Sequence, residues 1–422
     1  MNDLLAINSR NTAARIGIGV FVVIALLIGW FAVRWQIGIL LSDLTPATDP
    51  NAGEVGLVAK KLAPADPGPI LLSAAAENDP QKAIALFEDA IRLAPNDFRT
   101  RIELGRAYEQ DDQIERAEVE FKRAVELAPN YAAPRWHLGN FYLRQERESE
   151  ALSQLTHAAE HNQTYRDQVL SLAWDYFQKD PTRVEKLVSE PAAIAHLAYF
   201  FAARGAAAAS LRNWDRLSAA DKERYGYRAI SISDGLYSQR HFTEALSFAK
   251  QLGNATDAEP NKITNASFET NIGESEQARF AWQITRTEAK LEIGADGKVA
   301  KEGTRSLRMT FRGFAKPVLA NVYQTVVVEP NTRYALSFWV RTSDLRSAGT
   351  PMLEVLNGVN DASLARTEPF ANGTAEWQKM TLDLRTPENC TGIVIRTIRQ
   401  YCGEECQITG SIWYDEFSLT KQ

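Results

Sequence analysis

Three stretches, AIALFEDA (Ala83–Ala90), AEVEFKRA (Ala117–Ala124) and ALSQLTHA (Ala151–Ala158), stand 34 residues apart and decide how this chain is read. Each opens and closes on Ala, and Phe87, Phe121 and Leu155 keep one offset within them. The same step joins Leu104 to Leu138, Gly105 to Gly139, Tyr108 to Tyr142 and Pro95 to Pro129. Paired helices approach closely only where Ala or Gly sits at the crossing, and larger side chains then fill the space beside it. Units of this kind stack because none can bury its apolar face alone. The spacing predicts two clear repeats, Phe98 to Tyr131 and Ala132 to Tyr165, after a degenerate one that ends near Asp97.

A period of 34 with small residues at these offsets resembles the tetratricopeptide repeat, which implies helix pairs stacked as a solenoid. Solenoids of this type use the surface made by their first helices for extended ligands. On that surface Arg106, Glu109, Trp136, Asn140 and Arg144 are the candidate contacts for a protein partner. After Tyr165 the apolar residues keep helical spacing but lose the strict period, in VLSLAWDYF (Val169–Phe177) and IAHLAYFFAARGAAAASL (Ile194–Leu211). Ala245, Phe248 and Ala249 recover the offsets of a second helix, with Gly235 and Tyr237 in the helix before it. The helical domain is therefore expected over 70–253.

Towards the amino end, IGIGVFVVIALLIGWFAV (Ile16–Val33) carries no charge. At about 1.5 Å per residue it is long enough to cross roughly 30 Å of hydrocarbon. It lacks the short apolar core and the following small-residue site of a cleaved leader, so it reads as an uncleaved signal anchor over 16–35. Arg10 and Arg15 precede it and Arg34 follows, a mild bias toward a cytoplasmic tail at 1–15 with the bulk of the chain periplasmic or otherwise extracytoplasmic. Residues 36–69 are rich in Pro, Asp, Gly and Ala and are expected to form a tether, interrupted by a short amphipathic piece at Val55–Leu62.

Composition agrees with a globular chain of several domains: 422 residues, 45% hydrophobic and 24% charged. A formal net charge of -6 argues against a general nucleic-acid binder. All five histidines lie in the helical part, and the chain carries no nucleophile elbow, P-loop or dinucleotide glycine fingerprint. HAAEH (His157–His161) matches a zinc-protease spacing, yet Ala158 is already a packing position of the repeat. No catalytic set emerges, and the expectation is a non-enzyme.

From Ile263 onward alternating runs bounded by Gly, Pro, Asn and Asp predict strands: SLRMTF, NVYQTVVVEP, RYALSFWVRT, PMLEVLNG, WQKMTLDL, TGIVIRTI and GSIWYDEFSL. They predict an antiparallel β-sandwich over 263–422, behind a linker at 254–262. The order of NASFE (Asn265–Glu269), GTRSL (Gly303–Leu307), QTV (Gln324–Val326), PNT (Pro330–Thr332) and IWYDEF (Ile412–Phe417) resembles the jelly-roll carbohydrate-binding modules related to galactose-binding-like domains. That resemblance implies a glycan ligand and a structural calcium ion, for which Glu269 and Asp415 occupy the matching places.

Parity along Tyr334–Arg341 puts Tyr334, Leu336, Phe338 and Val340 in the core and Trp339 with Arg341 on the opposite face. There an indole could stack on a sugar ring and a guanidinium could bind hydroxyl or carboxylate groups. Gln324, Glu354 and Arg396 on neighbouring strands are the further candidates for that face. Cys402 and Cys406 are close enough in sequence to bridge across a loop in an oxidising compartment, and a bridge from Cys390 to Cys402 stays open.

Together these readings predict a multidomain α plus β chain: a transmembrane helix, a tetratricopeptide-like solenoid and a jelly-roll sandwich. The function they imply is an anchored scaffold whose repeats bind a protein and whose sandwich binds a glycan, of the kind that serves polysaccharide assembly or export. A sandwich that docks protein in an envelope complex is the alternative. A glycan hydrolase would need two carboxylates converging in one cleft, with Glu354 and Asp415 as candidates.

Overall fold

The computed structural model describes residues 12–253, 257–270, 272, 279–285 and 289–422, the side chains of 13, 14 and 161 apart. The cytoplasmic-tail expectation for residues 1–11, including Arg10, and the linker expectation at 254–256 lie outside the described residues. The chain divides into two compact units, Met1–Val188 and Ser189–Gln422.

The first unit is helical. Helix α1 (Thr12–Leu44) contains one span, Arg15–Leu44, that is long and apolar enough to cross a membrane; its side chains are exposed as far as Val33, and its last turns are packed at Gly38 and Ser42. The tether expected over 36–69 is a correction, because most of it is helix: α1 runs on to Leu44, followed by α2 (Ala52–Leu62) and α3 (Gly68–Ala75). Small residues cause this. A Cβ on Gly38 would stand 2.8 Å from Ala63 Cβ and 2.9 Å from the Ala59 carbonyl, so α1 and α2 meet backbone to backbone. Gly56 is pressed in the same way against Ser73 and Pro69 of α3. Pro46, Pro50, Pro64 and Pro67 fall between the helices and Pro69 in the first turn of α3, where a missing N–H costs nothing.

The repeats follow as α4 (Pro80–Leu93), α5 (Phe98–Gln110), α6 (Ile114–Leu127), α7 (Ala132–Arg144), α8 (Glu148–His161), α9 (Gln163–Tyr176) and α10 (Pro181–Val184). Asp79, Asp97, Asn162 and Asp180 start α4, α5, α9 and α10 by accepting from backbone N–H groups of the first turn. Each Ala of the 34-residue period is buried. A Cβ on Gly105 would lie 3.0 Å from the Phe121 ring, and one on Gly139 would lie 2.8 Å from Leu155.

A second device repeats as well. Arg116 bonds Glu88 at 2.9 Å with its guanidinium 4.1 Å from the Tyr108 ring centre. Arg147 bonds Glu118 at 2.6 Å over Tyr142. Arg183 bonds Glu148 at 2.5 Å over Phe177. Every clamp ties the second helix of one repeat to the hairpin of the next. The third one carries the repeat beyond Tyr165, where the sequence period fades.

The turn inside each hairpin also recurs. The N–H of Gln113, Arg147, Lys179, Ala206 and His241 donates to the carbonyl five residues back at 2.8, 2.9, 2.7, 2.9 and 2.9 Å. The residue before each donor, Asp112, Glu146, Gln178, Gly205 or Arg240, has positive φ. Four of the five are not glycine, so the turn is imposed by the packed helices on either side.

The second unit begins with α11 (Pro191–Ala203), α12 (Ala207–Asp215), α13 (Ala219–Arg224), α14 (Gly226–Ser238) and α15 (Phe242–Gln251). Ten strands follow: β1 (Gln283–Ile284), β2 (Leu291–Asp296), β3 (Ser306–Phe314), β4 (Val322–Val327), β5 (Arg333–Arg346), β6 (Pro351–Asn357), β7 (Ser363–Arg366), β8 (Gly373–Arg385), β9 (Gly392–Arg399) and β10 (Ile408–Lys421). They form two antiparallel sheets, β1-β4-β9-β6-β7 and β2-β3-β10-β5-β8, closed over one apolar core. Phe338 stacks on Phe417 at 5.1 Å, and Phe268, Trp282 and Tyr414 complete the cluster. Burial pushes the Tyr414 phenol above its ordinary value.

The α14–α15 hairpin belongs to the sandwich. Tyr237 shares a 2.6 Å hydrogen bond with Thr325 of β4, and Arg240 donates to the Gly358 carbonyl and pairs with Asp361. Phe242 lies on Gly358 and Gly392, and Arg279 pairs with Asp234 at 2.9 Å. The last helices and the strands thus form one compact unit from Ser189. The composition change near Asn254 follows the end of α15 at Gln251, and the first strand is β1 at Gln283.

Candidate functional site

In the first unit α5, α7 and α9 place their outward side chains along one recess of about 480 Å³, lined by Phe98, Ile102, Tyr131, His137, Asn162 and Tyr165 among others. Phe98 and Tyr131 rings lie 5.5 Å apart, and Trp136 lies 6.0 Å from Tyr165. The wall is therefore aromatic, while Tyr131 is 62% exposed and open to a ligand.

Of the five residues expected to contact a partner, four pair with one another and Arg106 pairs with a residue outside the set. Arg144 and Glu109 meet bidentately at 2.6 and 2.7 Å, joining α7 to α5. Arg106 pairs with Glu103 on its own helix at 3.1 Å. Asn140 donates to the Trp136 carbonyl at 2.8 Å, which spends its amide inside α7. His137 stands between Arg106 and Arg144; burial, and then these two cations, hold its imidazole down to about 4, so it is neutral in this wall at neutral pH. Phe98, Ile102, Tyr131, His137 and Tyr165 were missed by sequence reasoning. Tyr131 and Tyr165 are 34 apart, so the period itself carried a signal for two of them.

In the second unit the five glycan candidates do not share a face, which corrects the expectation. Trp339 and Arg341 stand on the outer face of β5, opposite Asp415 and Trp413 of β10. Gln324, Glu354 and Arg396 lie in the other sheet, on β4, β6 and β9. The cause is topological, because β5 pairs with β10 and β8 while β4, β6 and β9 make the opposing layer. Gln324 shares the inward parity of Val322 and Val326 and is fully buried, bonding the Thr264 backbone at 2.9 and 3.1 Å. Glu354 and Arg396 are brought together at 2.8 Å on the outer side of their sheet. Glu354 and Asp415, on opposing sheets, form no paired-carboxylate cleft.

Along β5 the inward set, Tyr334, Leu336, Phe338 and Val340, is buried as alternation requires, and Trp339 and Arg341 stand on the outer face. Lys301 places its ammonium 4.4 Å from the centre of the Trp339 ring. The Arg341 guanidinium lies 5.7 Å from the Trp413 ring and 3.2 Å from Glu376. Trp413 donates through Nε1 to Asp296 at 2.9 Å. The Arg341 Nε is buried with no hydrogen-bond partner in this structure. Trp413 is buried beneath Arg341, so Trp339, partly exposed and flanked by Lys301 and Arg341, is the indole of this face able to stack on a ring.

Glu269 and Asp415 converge on the loop between β2 and β3 but do not fit a calcium ion. Asp415 accepts from the backbone N–H of Lys301 at 2.7 Å and of Glu416 at 2.8 Å, and burial pushes its carboxyl up against these donors. Glu269 accepts from the Thr304 hydroxyl and from the N–H groups of Thr304 and Arg305, which hold it below the usual carboxylate range. Gly303 has φ 68, and a Cβ there would collide with the Glu269 carboxylate. Calcium takes six to eight oxygens; this loop turns N–H hydrogens toward both carboxylates. Among the described residues no three His, Cys, Asp or Glu side chains gather as metal ligands. The side chain of His161, from the His157 motif, lies outside the described residues.

Cys402 and Cys406 are bonded to each other, with Cα atoms 5.7 Å apart, and Cys390 is free and buried. Arg399 reaches the Cys406 sulfur at 3.1 Å and the Gly349 carbonyl at 2.9 Å, so the bridge is packed on a buried guanidinium.

The arrangement defines a class: helical repeats with an aromatic-walled recess, joined in one chain to a two-sheet sandwich. The tetratricopeptide repeat family model matches residues 74–126. No curated protein matches the sequence. Among solved structures, a thermophilic tetratricopeptide repeat protein of Thermus thermophilus is 23% identical, covering 29% of this chain and 71% of that one with a TM-score of 0.27. MamA from Desulfovibrio magneticus RS-1 is 26% identical, covering 31% and 75% with a TM-score of 0.27. A family 61 carbohydrate-binding module in complex with β-1,4-galactotriose is 17% identical, covering 39% and 100% with a TM-score of 0.26.

Proposed function

We propose that this chain is a non-enzymatic scaffold, anchored in a membrane by α1, whose repeats hold a protein partner in the groove of α5, α7 and α9. The observation that carries the reading is the groove itself. Aromatic and aliphatic side chains line it together with Arg99 and Glu103, a neutral imidazole sits in its wall, and the two cations nearest that imidazole, Arg106 and Arg144, are paired with Glu103 and Glu109. Such a surface favours an extended segment with apolar anchors over a strongly charged one. The test is panning of a peptide library on the full chain in lipid nanodiscs. Selected peptides should lose roughly tenfold or more in affinity to a Tyr131→Ala, His137→Ala double variant, the cost of truncating an aromatic contact at an interface. Unchanged affinity would place the partner elsewhere.

The sandwich is the second binding element, and its outer β5 face, Trp339 with Arg341, is proposed to take a glycan on the extracytoplasmic side, in polysaccharide assembly or export. Saturable binding to a glycan panel that disappears in Trp339→Ala supports this. A folded Trp339→Ala variant that binds as the parent does sinks it. One observation favours the alternative for the other sheet: the outer side of β4 and β9 is packed against α14–α15, so that layer already docks protein.

A further inference from the structure

Helix α1 is longer than a membrane needs. Its apolar span of 30 residues, Arg15–Leu44, measures about 45 Å, against roughly 30 Å of hydrocarbon. If the crossing uses Ile16 to Trp35, the last turns emerge as continuous helix with α2 already packed on them at Gly38. The point of emergence is chemically distinct. Arg34 donates to the Lys61 carbonyl, so the carboxyl end of α2 lies beside the start of the emergent segment. That brings Lys60 and Lys61 to the level of Arg34 and Trp35, with exposed Leu57 and Val58 one turn away on α2. Among the described residues none of these three cations has a carboxylate within salt-bridge distance. The acids of this region stand elsewhere: Asp43 at the outer end of α1, Asp49 and Glu54 at the start of α2, and Asp66 beside Ser42, where it accepts from the Gly68 N–H.

We propose that Arg34, Trp35, Lys60 and Lys61 form a lipid-headgroup site for the anionic surface of the membrane that α1 crosses. The inference rests on the anchoring reading above. Indole rings settle at headgroup depth, and lysine and arginine beside the bilayer are drawn to anionic lipid. Sequence distance hides the site, because 25 residues separate Trp35 from Lys60 and only the α1–α2 crossing brings them together. The consequence is mechanical. A segment that composition reads as a loose tether instead fixes α2 and α3 at a set height on the bilayer.

The test uses the full chain with Cys390→Ala in nanodiscs, carrying one fluorophore at Ile24→Cys, Asp43→Cys or Val58→Cys. Quenching by spin-labelled lipids is read in phosphatidylcholine, with and without phosphatidylglycerol. The expected pattern is quenching from mid-chain labels at 24, from headgroup labels at 58, and from neither at 43. Phosphatidylglycerol should strengthen the signal at 58, and Lys60→Gln with Lys61→Gln should abolish that increment. A label at 58 that behaves like the one at 43, while 24 is still quenched, overturns the headgroup site and leaves the anchor standing. Absence of mid-chain quenching at 24 overturns the anchor itself. A signal at 58 that is lost when each disc holds one chain assigns the patch to a second copy and also overturns the proposal.

Discussion

The ring of Phe242 lies flat on Gly392: a Cβ at that position would stand 2.5 Å from Cδ2 and 2.9 Å from Cγ of the ring. A strand residue without a side chain thereby gives the last helical hairpin its seat on the β4-β9-β6 layer. Tyr237 and Arg240 seal the edges of the same contact. Gly392→Ala should overpack this seat and cost about 1–3 kcal/mol. Denaturant unfolding followed by hydrogen exchange is the check, and α15 and β9 should lose protection together. If α15 opens while β9 keeps its protection, the two are separate cooperative units and the account of the second unit is wrong.

Arg147 is the clearest of the repeat clamps. It and Lys122 hold Glu118 down to about 2, and the hydrogen bond from Arg147 is the largest contribution. The sign follows from linkage: the unfolded chain takes up this proton near 4.5 and the folded chain only near 2. The clamp therefore stabilises fully above the unfolded value and is lost as pH falls from 4.5 toward 2. Arg147→Gln should flatten the acid limb of the stability curve in that window, as read by chemical denaturation at stepped pH. An unchanged slope would mean the ion pair is not formed in solution.

His137 gives a second pH signature at higher values. Its folded imidazole protonates only near 4, while the unfolded one does so near 6.5. Between those values the unfolded state binds more protons, so stability should fall as the solution is acidified through this range. His137→Asn should remove that part of the slope. Nuclear magnetic resonance titration of the imidazole would find an ordinary value if the groove wall were open to water at this point.

The Cys402–Cys406 bridge closes a loop of only a few residues, so the chain-entropy model gives it about 2 kcal/mol. Reduction should lower the melting temperature without unfolding the sandwich. Alkylation of the native protein should spare Cys390, whose thiol is buried and pushed up to about 11. Rapid modification of Cys390 in the folded chain would contradict its burial.

How far the sequence carries can be read from particular residues. Ala83, Ala117, Ala151, Gly105 and Gly139 announce the repeat because backbone approach demands small residues at fixed steps. The Tyr334–Val340 alternation likewise announces the core side of β5. The pairing of sheets is a different matter: Glu354 and Arg396 read as neighbours of Trp339 until strand order puts them in the other layer. Gln324 was also expected on that face, yet it is an inward polar side chain satisfied by the Thr264 backbone, a partner 60 residues away. The helical nature of 36–69 was hidden because Pro and Gly signal turns and close crossings with the same letters. The third clamp at Arg183 escaped because Arg116, Arg147 and Arg183 are spaced 31 and 36 apart, outside the strict period.

The central claim is that the groove of α5, α7 and α9 is where a partner binds. The most direct measurement places a photo-crosslinking amino acid at Tyr131 in the groove, and separately at the exposed Val119 on α6, in the full chain held in nanodiscs with a peptide selected by panning. The account predicts a covalent adduct from position 131, absent from position 119 and suppressed by excess unlabelled peptide. Equal labelling from both positions, or labelling from 119 alone, would contradict it.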